Sequence, residues 1–476
     1  MAHDTTALRG DLVEWIERVT GTKVAAAVRQ VGGGRKQGWL VLLASGEESL
    51  FLRWDPTDLQ RIGDPWTVRR EATVYAALDG AGIKVAPFRA LHPTDEAVLL
   101  GVVHGESRFS AITDGDQARA VAEDFIGQLA ALHRLDVSQL EPALPGGDRS
   151  VPQLAVDQLD ELEELIAFRG GVPDALLGIA LPWLRAHVPD YDGRPVLVQG
   201  DTGPGNFLYD GRDVTAIVDW ELAHLGDPMD DLAWVTLRSV QDPFPDLPAL
   251  FAAYSTASGI ALDADRLRYY RVLAEAKIMT MGHGVGRRER AGGDGGDPGG
   301  RLIFGQLHRR LLVEVLADAM GVELPDIALP IDEVDEHRAA LYGSVADQIH
   351  GVVLPRVDDG FARARLKGLA RVVKYLEASD RAARAYAADE CVDLGKALGH
   401  DVTDVHDGRR DLAEAVSRGE VDPVVALLAV HGRTTRHNEL LRSASGALAD
   451  RHYQPVTELI RSPAEDERSA ERRTRP

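Results

Sequence analysis

The spacing of apolar residues indicates one helix and several strands in the first hundred residues. Apolar side chains recur at helical spacing between Leu12 and Val19, so a helix is predicted over residues 11–19. Runs rich in β-branched and apolar residues predict strands at residues 24–31, 39–44, 50–54, 84–87 and 97–103. A second helix is predicted over residues 66–78, after the third strand. This order predicts a small β-rich lobe over residues 1–104.

From residue 118 onward the apolar period is mostly helical. Helices are predicted over residues 118–135, 154–168, 175–187, 230–240, 247–258, 266–281 and 304–320. The exception is a group of short apolar runs at residues 196–198, 207–209 and 215–218, where a turn at residues 210–211 predicts a hairpin. The chain is therefore predicted to be an α+β protein, with a mostly helical second lobe over residues 105–324.

The last third of the chain follows a linker rich in proline and acidic residues, at residues 325–336. Further helical stripes predict helices over residues 337–350, 365–376, 411–416, 423–430 and 438–450. These form a predicted all-α accessory domain over residues 337–461. The charged tail at residues 462–476 and the glycine-rich segment 282–300 have too few apolar residues to order themselves. The tail is predicted to be disordered, and the segment to be a mobile surface loop or, alternatively, a lid over a substrate.

Composition limits the classes of partner. The net charge is −22, which argues against nucleic acid and anionic membranes as partners. No apolar run approaches the roughly 20 residues of a membrane-spanning helix. The single cysteine, Cys391, allows no internal disulfide and suits a reducing compartment. We therefore expect a cytoplasmic protein that binds neither nucleic acid nor membrane.

Three polar residues follow the short strands in the middle of the chain. Asp201 stands three residues after the apolar run at residues 196–198, Asn206 stands five residues later, and Asp219 ends the hairpin. Two carboxylates and an amide at strand ends can bind a divalent cation and orient a hydroxyl group. The alternative is an ordinary hairpin with acidic surface residues.

The same stretch resembles the aminoglycoside phosphotransferase family, a small-molecule branch of the protein-kinase-like fold. The residues that match the family pattern are Gly200, Asp201, Asn206, Asp219, Trp220, Glu221, Gly226, Asp227, Pro228, Asp231, Leu232 and Ala233. The chain departs from the pattern at Gln199, where the family usually has histidine. Because glutamine has both a donor and an acceptor, Gln199 is expected to brace the loop. The segment at residues 341–347 also resembles a helical domain of unknown function that is fused to such enzymes.

The resemblance implies a two-lobed protein-kinase-like fold, joined to the C-terminal all-α domain, and roles for the candidate residues. The glycine-rich hairpin would cover the phosphates of ATP through Gly32, Gly33 and Gly34. Arg53 on the third strand, paired with Glu71 on the next helix, would anchor the same phosphates. Each assignment has a structural alternative. The hairpin would bind no ligand, and Arg53 would be a surface arginine on an edge strand.

The matched stretch, residues 196–234, is called the central motif below. The resemblance implies a different task for each of its polar residues. Asp201 would accept the proton of the attacking hydroxyl, while Asn206 and Asp219 would hold Mg²⁺. Asp227 and Asp231 are expected to hold the loops of the motif.

The expected activity is ATP-dependent transfer of a phosphoryl group to an alcohol group of a small molecule. The acceptor would be an aminoglycoside, a hydroxyacyl-CoA or another metabolite. The alternative is a pseudokinase that binds nucleotide and acts as a scaffold through its helical domain. A second copy of the chain, bound through that domain, is a further expected partner.

Overall fold

The computed structural model describes residues 8–30, 36–46, 49–57, 63–140, 144, 146–170, 174–283, 297–330 and 335–460. The chain divides into two compact units. One consists of Met1–Asp157, Asp190–Leu267 and Gln454–Pro476, and the other of Gln158–Pro189 and Arg268–Tyr453. The domain boundaries predicted at residues 104, 324, 336 and 461 stay predictions.

The first unit begins with a helix and an antiparallel sheet. The elements are α1 (Gly10–Thr20), β1 (Val24–Arg29), β2 (Gln37–Leu43), β3 (Ser49–Trp54), α2 (Val68–Leu78), β4 (Phe88–Leu91) and β5 (Ala97–Gly101). The five strands pair in the order β1-β2-β3-β5-β4. Leu12 and Ile16 of α1 share one buried core with Trp39, Val41 and Leu43, which alternate along β2 as a half-buried strand requires.

The strand predicted at residues 84–87 is wrong. Strand β4 begins at Phe88, directly after Pro87. Proline has no backbone N–H to donate to a sheet, and Val85 forms only an isolated bridge, to Ile217. The remaining strands of this sheet occur where the pattern predicts them.

Helices carry the chain between the two units and then into the region of the central motif. They are α3 (Gly115–Leu132), α4 (Val151–Arg169), which passes from the first unit to the second, and α5 (Ala175–Ala186). Two short antiparallel pairs follow in the first unit, β6 (Val196–Val198) with β9 (His224–Gly226), and β7 (Phe207–Asp210) with β8 (Asp213–Ile217). Helices α6 (Pro228–Gln241), α7 (Leu247–Ser258) and α8 (Ala264–Gly282) come next, and α8 returns the chain to the second unit. The central motif therefore lies on strands and loops that belong to the first unit.

The rest of the second unit is helical. Its helices are α9 (Pro298–Met320), α10 (Glu336–Asp347), α11 (Gly360–Leu398), α12 (Val405–Ser417) and α13 (Pro423–Ser445), and a short helix α14 (Val456–Leu459) follows in the first unit. Leu341 and Val345 of α10 are 56% and 49% exposed. Two leucines of α11, Leu369 and Leu376, are also exposed, at 47% and 46%. The predicted pairing with a second copy through this region stays a prediction.

The antiparallel sheet and the helical remainder confirm the predicted α+β class. Within the described ranges, every helix is too short or too polar to cross a membrane. The predicted glycine cover at Gly32, Gly33 and Gly34 lies outside the described residues, as do most of segment 282–300 and the tail after residue 460.

Candidate active site

The loop between β6 and β7 carries Asp201, and Gln199 at its start fixes its shape. The side-chain Nε2 of Gln199 donates to the carbonyl oxygens of Val218 at 3.0 Å and Asp219 at 2.8 Å. Its Oε1 accepts from the backbone N–H of Asp201 at 2.8 Å and from the hydroxyl of Thr202 at 3.0 Å. Gln199 is only 1% exposed, so these bonds form away from water. The expected bracing role of Gln199 agrees with these contacts.

Asp231, in the first turn of α6, holds the same loop. Its Oδ2 accepts from the backbone N–H of Gln199 and its Oδ1 from that of Gly200, both at 2.9 Å. The Thr202 hydroxyl is also within hydrogen-bond distance of Oδ1, so it shares its single proton between Oδ1 and Gln199 Oε1. His133 Nε2 lies 3.0 Å from Oδ2, and both His133 and Asp231 are fully buried. This one carboxylate therefore ties the loop to two helices, α6 and α3.

Both carboxylate oxygens of Asp201 have partners. Arg238 of α6 donates from Nε to Oδ1 at 2.7 Å and from Nη2 to Oδ2. Asn206 Nδ2 donates to Oδ2 and to the backbone oxygen of Asp201, each at 2.7 Å. Burial raises the pKa of Asp201 above its usual value, although Arg238 opposes this shift. An oriented carboxylate with a raised pKa is suited to accept a proton.

Arg238 can reach Asp201 because Gly203 has no side chain. A Cβ placed on Gly203 would lie 2.7 Å from the Cβ of Arg238, closer than carbon atoms approach. The φ of Gly203 is 140°, which also favours glycine. The approach of helix α6 to the loop thus depends on this glycine.

Asp219 follows β8 and has an unusual backbone conformation. Its φ of 63° and ψ of 60° lie in the left-handed region, which few residues other than glycine adopt. The Gln199 side chain holds its carbonyl oxygen, as described above. Its Oδ1 accepts from Arg53 Nη2 at 2.7 Å. The conformation therefore directs the Asp219 carboxylate toward strand β3, which carries Arg53.

Arg53 lies within a cluster of charged residues, the acid-rich cluster, which consists of Lys36, Arg53, Glu71, Asp219 and Glu221. Arg53 Nε lies 2.8 Å from Glu71 Oε2, and its Nη2 lies 3.3 Å from Glu221 Oε2. Lys36 forms an ion pair with the same Glu221 oxygen. Glu71 is fully buried, and burial raises its pKa to about 7 against the opposing effect of Arg53. The cluster has three carboxylates and two cations, so it is short of positive charge when all are ionised.

The donor atoms of this cluster fit a divalent cation. One carboxylate oxygen from each of Glu71, Asp219 and Glu221 lies within 4.8 Å of the others. Carboxylate oxygens are the preferred ligands of Mg²⁺. This arrangement differs from the predicted pair of Asn206 and Asp219. The partners of Asp219 are Glu71 and Glu221. Asn206 instead contacts Asp201. A metal-binding role for Asn206 stays a prediction, in which Oδ1 is its only suitable atom.

The structure brings the predicted residues together in two groups. Asp201 and Asn206 are bonded to each other, and Arg53 contacts both Glu71 and Asp219. Sequence reasoning assigned no role to Lys36, Glu221 or Arg238. Glu221 belongs to the matched family pattern, and Lys36 belongs to the glycine-rich hairpin. The neighbouring sequence could therefore have identified both as candidate site residues. Arg238 had no such local signal, because it is an ordinary helical residue 37 positions after Asp201.

The class of protein follows from a comparison with known families. The sequence profile of the phosphotransferase enzyme family matches residues 27–271, just over half of the chain. The chain belongs to this family, and the predicted protein-kinase-like fold is confirmed with it.

Several known proteins are similar to parts of the chain. Acyl-CoA dehydrogenase family member 11 of Mus musculus is 28% identical over 124 residues, which are 22% of this chain and 16% of that protein. The protein of the same name from Gallus gallus is 25% identical over 289 residues, 55% of this chain and 36% of that protein. The chain thus spans about a sixth to about a third of these relatives.

Among solved structures, a thermostable mutant of aminoglycoside phosphotransferase APH(4)-Ia, in a ternary complex with ADP and hygromycin B, is 17% identical with a TM-score of 0.45. The similarity covers 59% of this chain and 94% of that one.

Proposed function

We propose that the protein transfers the γ-phosphoryl group of ATP to a hydroxyl group of a small molecule. The observation that supports this most strongly is the geometry of Asp201. It is oriented by Arg238 and Asn206, and it lies on a loop whose brace, Gln199, also holds the carbonyl oxygen of Asp219. The proposed proton acceptor, Asp201, and the proposed cation ligand, Asp219, would thus be held by one side chain, that of Gln199.

Each group of residues would have its own task. When bound, ATP supplies the phosphoryl group and Mg²⁺ neutralises charge on its phosphates. Glu71, Asp219 and Glu221 would hold the cation through the carboxylate oxygens that lie close together. Arg53 and Lys36 would provide positive charge for phosphate oxygens, with Glu71 fixing Arg53. The carboxylate of Asp201 would take the proton of the acceptor hydroxyl as its oxygen bonds to phosphorus and ADP leaves.

We further propose that the acceptor is a hydroxyl group on an acyl-CoA or a related thioester. The relatives reported above are named acyl-CoA dehydrogenase family member 11. The Leu52-Arg53 pair on β3 and the C-terminal helical region also resemble those members of the family that are associated with acyl-CoA metabolism, which favours the same kind of acceptor. Phosphorus NMR with ATP and a panel of hydroxyacyl-CoAs, aminoglycosides and simple alcohols would identify the acceptor.

Two variants test the division of tasks. Asp219→Asn should weaken binding of a non-hydrolysable Mg-ATP analogue and lower turnover, because a cation ligand is lost in the ground state. Asp201→Asn should bind the analogue like the wild type, yet turn over roughly 10²–10⁴-fold more slowly, the range for a positioned base. Calorimetric titration and turnover of both variants would decide.

Unchanged analogue binding in Asp219→Asn would contradict the metal assignment. Tight binding by the wild type without turnover of any acceptor would favour the alternative, a nucleotide-binding scaffold.

A further inference from the structure

A cavity of about 530 Å³ lies among the helices of the second unit, whereas the acid-rich cluster belongs to the first unit. Its walls come from the start of α5 and from α11, α12 and α13. Most cavities that bind small molecules have volumes of about 300–1,000 Å³, so this one is large enough for such a ligand. Its charged lining comprises Asp174, Glu390, Arg409, Arg410 and Arg433, with His406 beside them.

The two carboxylates that line the cavity already have arginine partners. Asp174 Oδ1 accepts from Arg309 Nη1 at 2.8 Å. Glu390 is bound by both arms of Arg409, with Nε 2.6 Å from Oε1 and Nη2 donating to Oε2. The pair of Glu390 and Arg409 is bidentate, which satisfies both of its charges. The acids of the cavity therefore offer little to a further cation.

Arg433 is the additional cation. Within the described part of the chain its ion pair is with Glu390, whose Oε1 lies 3.7 Å from Arg433 Nε, beyond hydrogen-bond distance. Asp174 and Glu390 thus face three guanidinium groups, those of Arg309, Arg409 and Arg433. Burial and the neighbouring arginines lower the pKa of Arg433 to about 10 and that of His437 to about 4. In both groups the charges of neighbouring arginines add to the larger effect of burial.

The remaining wall is apolar. Leu394, Leu412 and Val430 line the cavity, and each is 2–3% exposed. A ligand that fits both parts would have an anionic head and an apolar body, because the guanidinium fork binds carboxylate and phosphate oxygens. We propose that this cavity binds a small organic oxyanion, a carboxylate or a phosphate monoester, with its head on Arg433 and its alkyl body against Leu394, Leu412 and Val430.

Calorimetric titration of the full chain with hexanoate, hexyl phosphate, 1-hexanol and hexylammonium tests the proposal. We expect at least one of the two oxyanions to bind with a Kd of about 1 mM or tighter, and the alcohol and the ammonium to bind at least tenfold more weakly. The tighter of the two oxyanions identifies the head group. Failure of both oxyanions to bind would overturn the proposal.

Two variants locate the binding. Arg433→Gln should weaken oxyanion binding at least tenfold. Arg418→Gln is the matched control, because Arg418 is 54% exposed and pairs with Glu420, and it should bind like the wild type. Unchanged affinity in a folded Arg433→Gln variant would overturn the assignment.

A measurement on the wild type covers the case in which Arg433→Gln does not fold. The imidazole NMR signal of His437, assigned by comparison with His437→Gln, should titrate at higher pH when the oxyanion is bound. An anion beside the arginines offsets the charge that lowers this pKa. Saturating oxyanion that leaves the titration of His437 in place would show that binding occurs elsewhere. None of these measurements depends on phosphotransferase activity, so their outcome is independent of the proposed function.

Discussion

Replacing Arg238 with glutamine should move the acidic limb of the pH–rate profile to higher pH. Arg238 binds both oxygens of Asp201 and lowers its pKa, in opposition to burial. Without that charge the pKa of Asp201 rises. Asp201 accepts a proton only when it is ionised, so the variant should lose activity on acidification earlier than the wild type does.

The size of the shift can be estimated from the geometry. An opposite charge at this distance typically lowers the pKa of a carboxyl group by about 1–3 units, and each unit corresponds to about 1.4 kcal/mol. The side chains of Arg238 and Asp201 remain 23% and 15% exposed, so water partly screens the pair. We therefore expect the limb to move to higher pH by less than a fully buried pair of this kind would produce.

The assay is kcat/KM as a function of pH, which reports the free enzyme. Arg238→Lys keeps the charge but cannot bind both oxygens, so its limb should move less than that of Arg238→Gln. Arg212→Gln is the control, because Arg212 is exposed on the turn between β7 and β8 and should leave the profile unchanged. Coincident acidic limbs in Arg238→Gln and the wild type would refute either the pairing or the role of Asp201 as the base.

Two further predictions concern the brace and the helical region. Gln199→His should reduce turnover by at most about tenfold, or ~1.4 kcal/mol of barrier, because a neutral histidine keeps one donor and one acceptor for the loop; steady-state kinetics showing a loss of several orders of magnitude would contradict the bracing role. A chain that ends at Leu329 should still bind the Mg-ATP analogue in calorimetry, because the acid-rich cluster and Asp201 belong to the first unit. It should be less soluble, because α9 loses buried contacts such as the bond from Gln306 Nε2 to Thr434 O; a folded truncated chain that fails to bind nucleotide would show that the helical region contributes to the site.

Local signals explain why some elements could be predicted from the sequence and others could not. The pattern predicts a helix over residues 247–258, and the structure has it with the same bounds. Asp246 caps its first turn and Gly259 ends it in the left-handed conformation, and both signals are adjacent to the helix.

Helix α13 shows the opposite case. Polar residues at 431–437 divide the apolar stripe, so the sequence predicts two helices where the structure has one. Distant residues pair with some of these polar groups, as when Arg436 Nη2 donates to Asp393 Oδ2 at 2.8 Å. Helix α11 was likewise predicted only over residues 365–376, although it extends from Gly360 to Leu398. Tertiary contacts of this kind leave no periodic signal.

The candidate site divides in the same way. Asp201, Asn206 and Asp219 stand next to predicted strands. Their spacing along the chain is therefore enough to identify them as candidate site residues. Lys36 and Glu221 are 185 residues apart along the chain, and only the fold shows that they form a pair. The sequence therefore predicts which residues carry the chemistry, whereas the charges that tune them come from the fold.

The left-handed backbone of Asp219 restricts which residues can stand at this position. Among the standard residues, only glycine, asparagine and aspartate adopt that conformation readily, and aspartate alone of these has a charge. Two independent requirements therefore select aspartate at this position, the backbone conformation and the negative charge. Glutamate would meet the electrostatic requirement only by distorting the main chain that Gln199 holds. Asparagine is the one polar replacement that isolates the charge from the backbone, whereas the effects of alanine would combine both.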